Sequence, residues 1–258
     1  ATLLSLISIV TVYGAVDNFG MSKLKMQIFI FFLGLIVTAV IASVDYHVIV
    51  DKLWLPMLIG SVLLLALTLL LGESGANMET SNRSWLRIPG IGMMIQPSEF
   101  VKFTFICTFS KHLFTVRDKI NRPLTLLPLM GHALLIIGLI LLSGDLGVAL
   151  IYAGSLMVML FCAGLHPGYF AGAAALVLLL APYIWEHLAE YQQQRIIVGF
   201  NPELDPLGKG MQSLLSRDAI AAGGFFGTGF SGGTEYKKVP YAHTDFVFAI
   251  TAEKFGFF

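Results

Sequence analysis

The sequence predicts an all-α fold, a polytopic transmembrane helix bundle. Three observations carry that prediction. Apolar runs near the ~20 residues needed to cross a bilayer recur along the chain. Only 12% of its 258 residues are charged and its mean hydropathy is +0.80, whereas soluble domains carry about 25% charged residues. The apolar stretches are continuous rather than alternating, which argues against barrel strands, and open sheet edges do not occur in lipid.

The runs lie at roughly 1–16, 26–44, 48–72, 97–114, 124–142, 146–164 and 168–185, and an eighth begins near 245. Seven to eight spans are therefore visible. The chain opens in an apolar run without Met and stops inside another at Gly256-Phe257-Phe258, so 1–258 reads as one integral membrane domain cut at both ends. The second run follows Lys23 and Lys25, and the fourth opens on Pro97, a residue suited to a helix's first turn. The fourth and fifth are joined by the most basic short loop, with Lys111, Arg117, Lys119 and Arg122. Positive residues mark the cytoplasmic side. Alternation then puts the two long loops, about 73–96 and 186–244, outside. The fifth and sixth runs meet at the tight turn Ser143-Gly144-Asp145-Leu146-Gly147, where a turn-forming aspartate is the plain reading.

The second long loop has internal order. Asn201-Pro202-Glu203-Leu204-Asp205-Pro206-Leu207-Gly208 is turn chemistry. Met211, Leu214, Leu215, Ala219 and Ala222 recur at helical spacing, predicting an amphipathic helix on the membrane surface or packed on the tops of the spans. Gly227-Thr228-Gly229-Phe230-Ser231-Gly232 fits a G-x-G-x-x-G pattern without the flanking strand, helix or acidic residue of a dinucleotide site. It reads as a flexible loop with backbone amides free to meet an anion. Net charge is zero, which gives no reason to expect nucleic acid. Cys107 and Cys162 lie far apart inside apolar runs and read as packing residues.

Two polar clusters sit at the mouths of apolar runs, where ionisable groups are functional candidates by default. The first is Gln96-Pro97-Ser98-Glu99 with Lys102. Glu99 suits a helix N-terminus, but a cation one turn in is electrostatically misplaced. A bare charge at mid-bilayer costs roughly 2.5–3.5 kcal/mol, and the spacing of three lets Lys102 pair with Glu99. The second cluster is His243-Thr244-Asp245 at the start of the eighth run. Thr244 or Asp245 could cap that helix; Asp245 is otherwise a functional candidate without an assigned role. Glu253 and Lys254, further in, read as a helix-internal ion pair.

On these residues the chain resembles the SEDS family (shape, elongation, division and sporulation proteins), which includes RodA and FtsW. The resemblance rests on Val12-Tyr13-Gly14-Ala15, Arg83-Ser84-Trp85-Leu86, Gln96-Pro97-Ser98-Glu99 with Lys102, and Asp145-Leu146-Gly147. It continues through Tyr191-Gln192 with Arg195, Asp205-Pro206-Leu207-Gly208 and His243-Thr244-Asp245-Phe246. Residues 202–208 with Gly223-Gly224 lean slightly towards RodA. Gly144, Tyr241-Ala242 and Lys254 depart from the family pattern. The resemblance implies about ten spans in the bacterial cytoplasmic membrane and a peptidoglycan glycosyltransferase that polymerises lipid II at the outer face. It implies a class B penicillin-binding protein as partner, alongside lipid II and membrane lipids.

In that reading Asp245, Lys102 and Glu99 are the catalytic candidates, with Asp245 as the general base for the acceptor hydroxyl. Arg83, Trp85, Gln96, Ser98, Asp145, Arg195 and His243 are substrate-binding candidates, with Glu99 and Lys102 joining Asp245 in one polar network. The leaving lipid pyrophosphate needs positive charge, from a divalent cation (Mg or Mn), from Lys102 or from outer arginines; no nucleotide is needed. A lipid II flippase and a non-catalytic scaffold that recruits cell-wall synthases are the competing readings. Polar groups at span ends suit transport equally well.

Overall fold

A computed structural model describes residues 2–73, 83–87, 94–230 and 232–257. In order, the elements are α1 (Thr2–Gly14), α2 (Val16–Phe19), α3 (Met21–Ala42), α4 (Tyr46–Leu71), β1 (Leu86–Arg87) and β2 (Met94–Ile95). There follow α5 (Pro97–Val116), α6 (Pro123–Leu142), α7 (Leu146–Cys162), α8 (Pro167–His187), α9 (Glu190–Phe200), α10 (Met211–Gly223) and α11 (Val247–Phe255). The seven complete apolar runs fall on α1 and α3 to α8. By length and composition α3, α4, α6 and α8 can cross a membrane, while α1 and α7 are apolar but shorter. α5 has the length, but Glu99, Lys102 and Lys111 lower its apolar character.

Local chemistry sets the helix starts. α5 and α6 carry proline in the first turn and α8 begins at Pro167, where the missing N–H costs nothing because no intrahelical partner exists there. Asp45 caps α4 by accepting the His47 amide at 2.9 Å, and Asp145 caps α7. Pro56, Pro128 and Pro182 lie inside α4, α6 and α8, which helices in lipid tolerate.

The chain divides into two compact units, Asp45–Ile184 and Ala1–Val44 with Trp185–Phe258. The first is built on stripes at helical spacing. Val101, Phe105 and Phe109 of α5, Leu129, Ala133, Ile136 and Ile140 of α6, and Ala149, Tyr152 and Leu156 of α7 form its buried core with Leu65 of α4. Ser61 and Thr104 hydroxyls, 2.6 Å apart, join α4 to α5. Asn121 ties two turns together by accepting the His166 amide at 2.7 Å and donating to the Gly164 carbonyl. α8 buries none of its residues, as suits a face covered by lipid.

The second unit has a smaller core of Ala15, Ala219, Tyr236, Val239, Ala242, Ala249 and Ile250. Thr11 and Thr251 hydroxyls at 3.1 Å join α1 to α11, and Gln27 of α3 donates to Ser8 of α1 at 2.9 Å.

Three features were not expected from the sequence. β1 and β2 pair antiparallel, Leu86 opposite Ile95 and Arg87 opposite Met94. α9 forms where Gln192-Gln193-Gln194-Arg195 masks the apolar spacing. The α10–α11 loop is held rather than free. The amphipathic helix is present as α10, and it packs on α11: a Cβ at Gly223 would lie 2.0 Å from the Ala252 carbonyl oxygen.

Candidate functional site

In the first unit the site grows from the N-terminus of α5. Pro97 starts the helix, and the Tyr152 hydroxyl of α7 donates to the Ser98 carbonyl at 2.6 Å, anchoring the first turn. One turn in, Lys102 Nζ donates to Glu99 Oε2 at 2.8 Å, the pairing expected from their spacing. The Glu99 side chain is 51% exposed and that of Lys102 23%, so an incoming group can reach the carboxylate without breaking the core. Gln96 Nε2 donates to Asp145 Oδ2 at 2.7 Å, while Asp145 Oδ1 accepts the Val148 amide at 3.1 Å. The turn reading of Asp145 is thus realised as a helix cap, its second oxygen held by Gln96. The Ser98 hydroxyl is buried with no partner among the described residues.

The segment between α4 and α5 meets the same end of the unit. The Arg83 amide donates to the Ser143 carbonyl at 2.9 Å, and the Ser84 and Ser143 hydroxyls lie 3.4 Å apart. Trp85 bridges to Glu73 through backbone bonds, and Arg87 pairs with the Glu73 carboxylate at 2.8 Å. Arg87 donating to Glu73 holds that carboxyl below its ordinary value. The arginine is raised in turn. The Arg83 guanidinium makes no hydrogen bond or ion pair among the described residues.

In the second unit Tyr241 adopts φ +56°, a left-handed conformation uncommon outside glycine and costly for a bulky side chain. Its carbonyl thereby accepts the amides of Thr244 and Asp245, each at 3.0 Å, and the Thr244 hydroxyl at 3.1 Å. The chain turns sharply and presents Asp245 ahead of α11. Neither Thr244 nor Asp245 caps that helix: the residue before α11 is Phe246, with no side-chain cap. Asp245 is exposed, and its carboxylate has no hydrogen bond or ion pair among the described residues. His243 rests against Phe19, with ring centroids 4.9 Å apart. Its Nδ1 is buried without a partner among the described residues. Arg195, on α9, is exposed and likewise unpaired among the described residues.

Two expectations need correction. Glu253 and Lys254 do not pair with each other, because neighbours in a helix do not face one another. Glu253 instead accepts the amides of Glu235 and Tyr236, and Lys254 donates to the carbonyls of Phe230 and Gly232. The amides of Gly227, Thr228 and Gly229 in the glycine-rich loop are not free for an anion. Gly227 N–H donates to the Gly223 carbonyl, Thr228 N–H to that of Glu253 and Gly229 N–H to that of Lys254; Ser231 lies outside the described residues. Sequence reasoning missed Tyr236 and Phe19. The available signal was two adjacent opposite charges in an apolar segment with no geometry for pairing.

Gln96 with Asp145 and Glu99 with Lys102 are thus brought together in one unit, and His243 with Asp245 in the other. The network expected to join Lys102 to Asp245 spans both units and stands as a proposal. Among the described residues, no three His, Cys, Asp or Glu side chains gather to hold a metal. Asp245 with His243 offers two donors at most.

Comparison with known proteins places these residues in context. The family model covering FtsW, RodA and SpoVE, described as cell cycle protein, matches residues 1–258. A probable peptidoglycan glycosyltransferase FtsW of Trichlorobacter lovleyi is 35% identical over 94% of this chain and 63% of its own length. One from Geobacter sp. strain M18 is 32% identical over 100% of this chain and 71% of its own. The chain therefore spans under two thirds of the first relative's length. These relatives carry the FtsW name, and the lean towards RodA finds no support in them. Among solved structures, one from a peptidoglycan synthase complex, studied for the coordination of polymerization and crosslinking, has TM-score 0.77 and 27% identity. It is matched over 99% of this chain and 70% of that one. The rod shape determining protein RodA of Thermus thermophilus has TM-score 0.55 and 24% identity, covering 85% of this chain and 73% of that one, and shows the fold alone.

Proposed function

Because the chain belongs to the FtsW, RodA and SpoVE family of cell cycle proteins, we infer that it polymerises lipid II into glycan strands at the outer face of the bacterial cytoplasmic membrane. The observation that carries this reading is the Asp245 carboxylate, exposed and uncommitted where a long loop enters a helix. Several other carboxylates are spoken for: Glu73 by Arg87, Glu99 by Lys102, Asp145 by Gln96 and its cap, Glu235 by Lys238; Asp17, Glu186, Glu203 and Asp218 are exposed too, but none of them stands where the loop enters α11. The names of the relatives and the synthase complex support the same activity.

The chemistry follows from what these groups can do. The acceptor's sugar 4-hydroxyl attacks the anomeric carbon of the donor. The bond from that carbon to the lipid pyrophosphate breaks, and Asp245 takes the hydroxyl proton. His243, two residues earlier, lines the approach. In this reading Lys102, steadied by Glu99, joins Asp245 in an outward-opening polar network. It compensates the negative charge on the departing pyrophosphate, aided by Arg83 and Arg195. Gln96, Ser98, Trp85 and Asp145 shape the substrate's seat. Because the described donors do not assemble a metal site, no step is routed through a divalent cation. A class B penicillin-binding protein is the partner this reading expects, its single span packing against an exposed face such as that of α8, where small residues at Gly172 to Ala175 allow close approach.

The test is polymerisation of lipid II by the purified complete protein in detergent, with and without that partner. Glycan product is expected. A flippase or a scaffold yields none, and that outcome would reject the enzymatic reading.

A further inference from the structure

Glu253 and Lys254 are the two most deeply buried charged residues described, 1% and 2% exposed. Buried charges persist where they are fully hydrogen-bonded, and each is met here by loop backbone. Glu253 Oε1 accepts the Glu235 amide at 3.0 Å and Oε2 the Tyr236 amide at 2.6 Å. Lys254 Nζ donates to the Phe230 carbonyl at 2.9 Å and the Gly232 carbonyl at 3.1 Å, and lies 5.1 Å from the Tyr236 ring centre. The helix backbone adds to this grip, since the Glu253 carbonyl accepts both the amide and the hydroxyl of Thr228. Gly14 leaves room for the lysine stem, as a Cβ there would lie 3.0 Å from Lys254 Cδ. Gly227 must lack a side chain, which would strike the Lys254 carbonyl.

The grip leads to Asp245. Tyr236, fixed by its amide, is buried and packs on Phe19 at 6.2 Å; Phe19 packs on His243 at 4.9 Å, two residues before Asp245. All of these groups belong to one compact unit. We propose that Glu253 and Lys254 are positioning residues for Asp245: they pin the loop between α10 and α11, and through Tyr236, Phe19 and His243 they fix the segment that presents its carboxylate. This rests on the reading of Asp245 as the base. Reacting groups tolerate little displacement, and about 1 Å of misplacement costs on the order of 10²-fold in rate.

The test combines hydrogen exchange with lipid II kinetics on the complete protein in lipid nanodiscs, using Glu253→Gln and Lys254→Met. Faster exchange is expected at Thr228, Gly229, Glu235 and Tyr236 with α10 unchanged. With it, kcat per folded enzyme should fall about 10²-fold while KM stays nearly constant. A purely structural role lowers the yield of folded protein and leaves kcat per folded molecule alone. Unchanged exchange, or raised exchange with unchanged kcat, overturns the proposal. Should both variants fail to fold, Phe19→Leu carries the test. It severs the ring contact to His243 while both charges stay satisfied, so a lower kcat with intact protection at Glu235 and Tyr236 supports the proposal and a normal kcat overturns it. Near-normal turnover by Asp245→Asn sinks the base reading instead, and is told apart because the exchange at Thr228, Gly229, Glu235 and Tyr236 still reports on the pin.

Discussion

At the scale of single residues, what separates Asp245 from its neighbours is the absence of other employment. A helix cap was the ordinary role open to it, and α11 has no side-chain cap. Its amide is bound to the Tyr241 carbonyl, so the backbone is held while the carboxylate stays free. Asp245→Asn keeps that backbone bond and the side chain's shape while removing the proton acceptor. General-base loss typically costs about 10²–10⁴ in rate. The expected variant inserts normally, binds lipid II and makes glycan that much more slowly, measured by product formation per folded enzyme. Near-normal polymerisation would remove Asp245 from the mechanism and leave Glu99 as the next carboxylate to test. Tyr241 illustrates what sequence could not reveal at this scale. Nothing in a tyrosine announces φ +56°, and the sharp turn into Asp245 goes with it.

At the scale of elements, the Glu73–Arg87 pair beside β1 and the α10–α11 contact each carry a prediction. The Glu73–Arg87 pair closes the β1–β2 region, where the Glu73 and Trp85 backbones also bond. Hydrogen bonding from Arg87 lowers the Glu73 pKa below its ordinary 4.5. A depressed carboxyl contributes stability above its unfolded value and loses it as pH falls through the folded one. Exchange of the Glu73 and Trp85 amides, relative to intrinsic rates, should therefore accelerate below about pH 4.5 in the protein and be insensitive to pH in that range in Arg87→Gln. The pair is exposed, so global stability should hardly change.

Gly223 makes the opposite case. Its Cβ would lie 2.0 Å from the Ala252 carbonyl oxygen and 2.7 Å from Glu253 Cα, both of them backbone atoms that cannot swing aside. Gly223→Ala should cost about 1–3 kcal/mol, as overpacking does, read as a lower melting temperature in detergent. An unchanged melting temperature would mean that α10 does not press on α11.

At the scale of the whole molecule, the arrangement of spans requires the loop from α8 to α11 to face outward if lipid-linked sugars are to reach Asp245. The basic residues between α5 and α6, Arg117, Lys119 and Arg122, argue for that orientation. With Cys107 and Cys162 replaced, Glu203→Cys in the exposed turn after α9 should react with an impermeant thiol reagent in spheroplasts. Labelling only after the membrane is opened would reverse the topology and end the lipid II reading.

The sequence by itself determined the class of the fold, because continuous apolar runs have one solution in lipid and their lengths mark the helices within a few residues. It also determined the pairing of Glu99 with Lys102, since a spacing of three on a helix leaves little choice. It did not determine where Glu253 and Lys254 turn. Adjacent positions point apart, and their partners, the backbones of Phe230, Gly232, Glu235 and Tyr236, lie 17 to 24 residues away. Nor could it show that Thr228 and Gly229 of the glycine-rich loop spend their amides on α11, or that the turn aspartate Asp145 holds Gln96. Helical periodicity and local spacing are written in neighbouring residues. Burial of a charge against distant backbone is settled only when the chain is packed, because only then is water gone and every buried donor and acceptor obliged to find its partner.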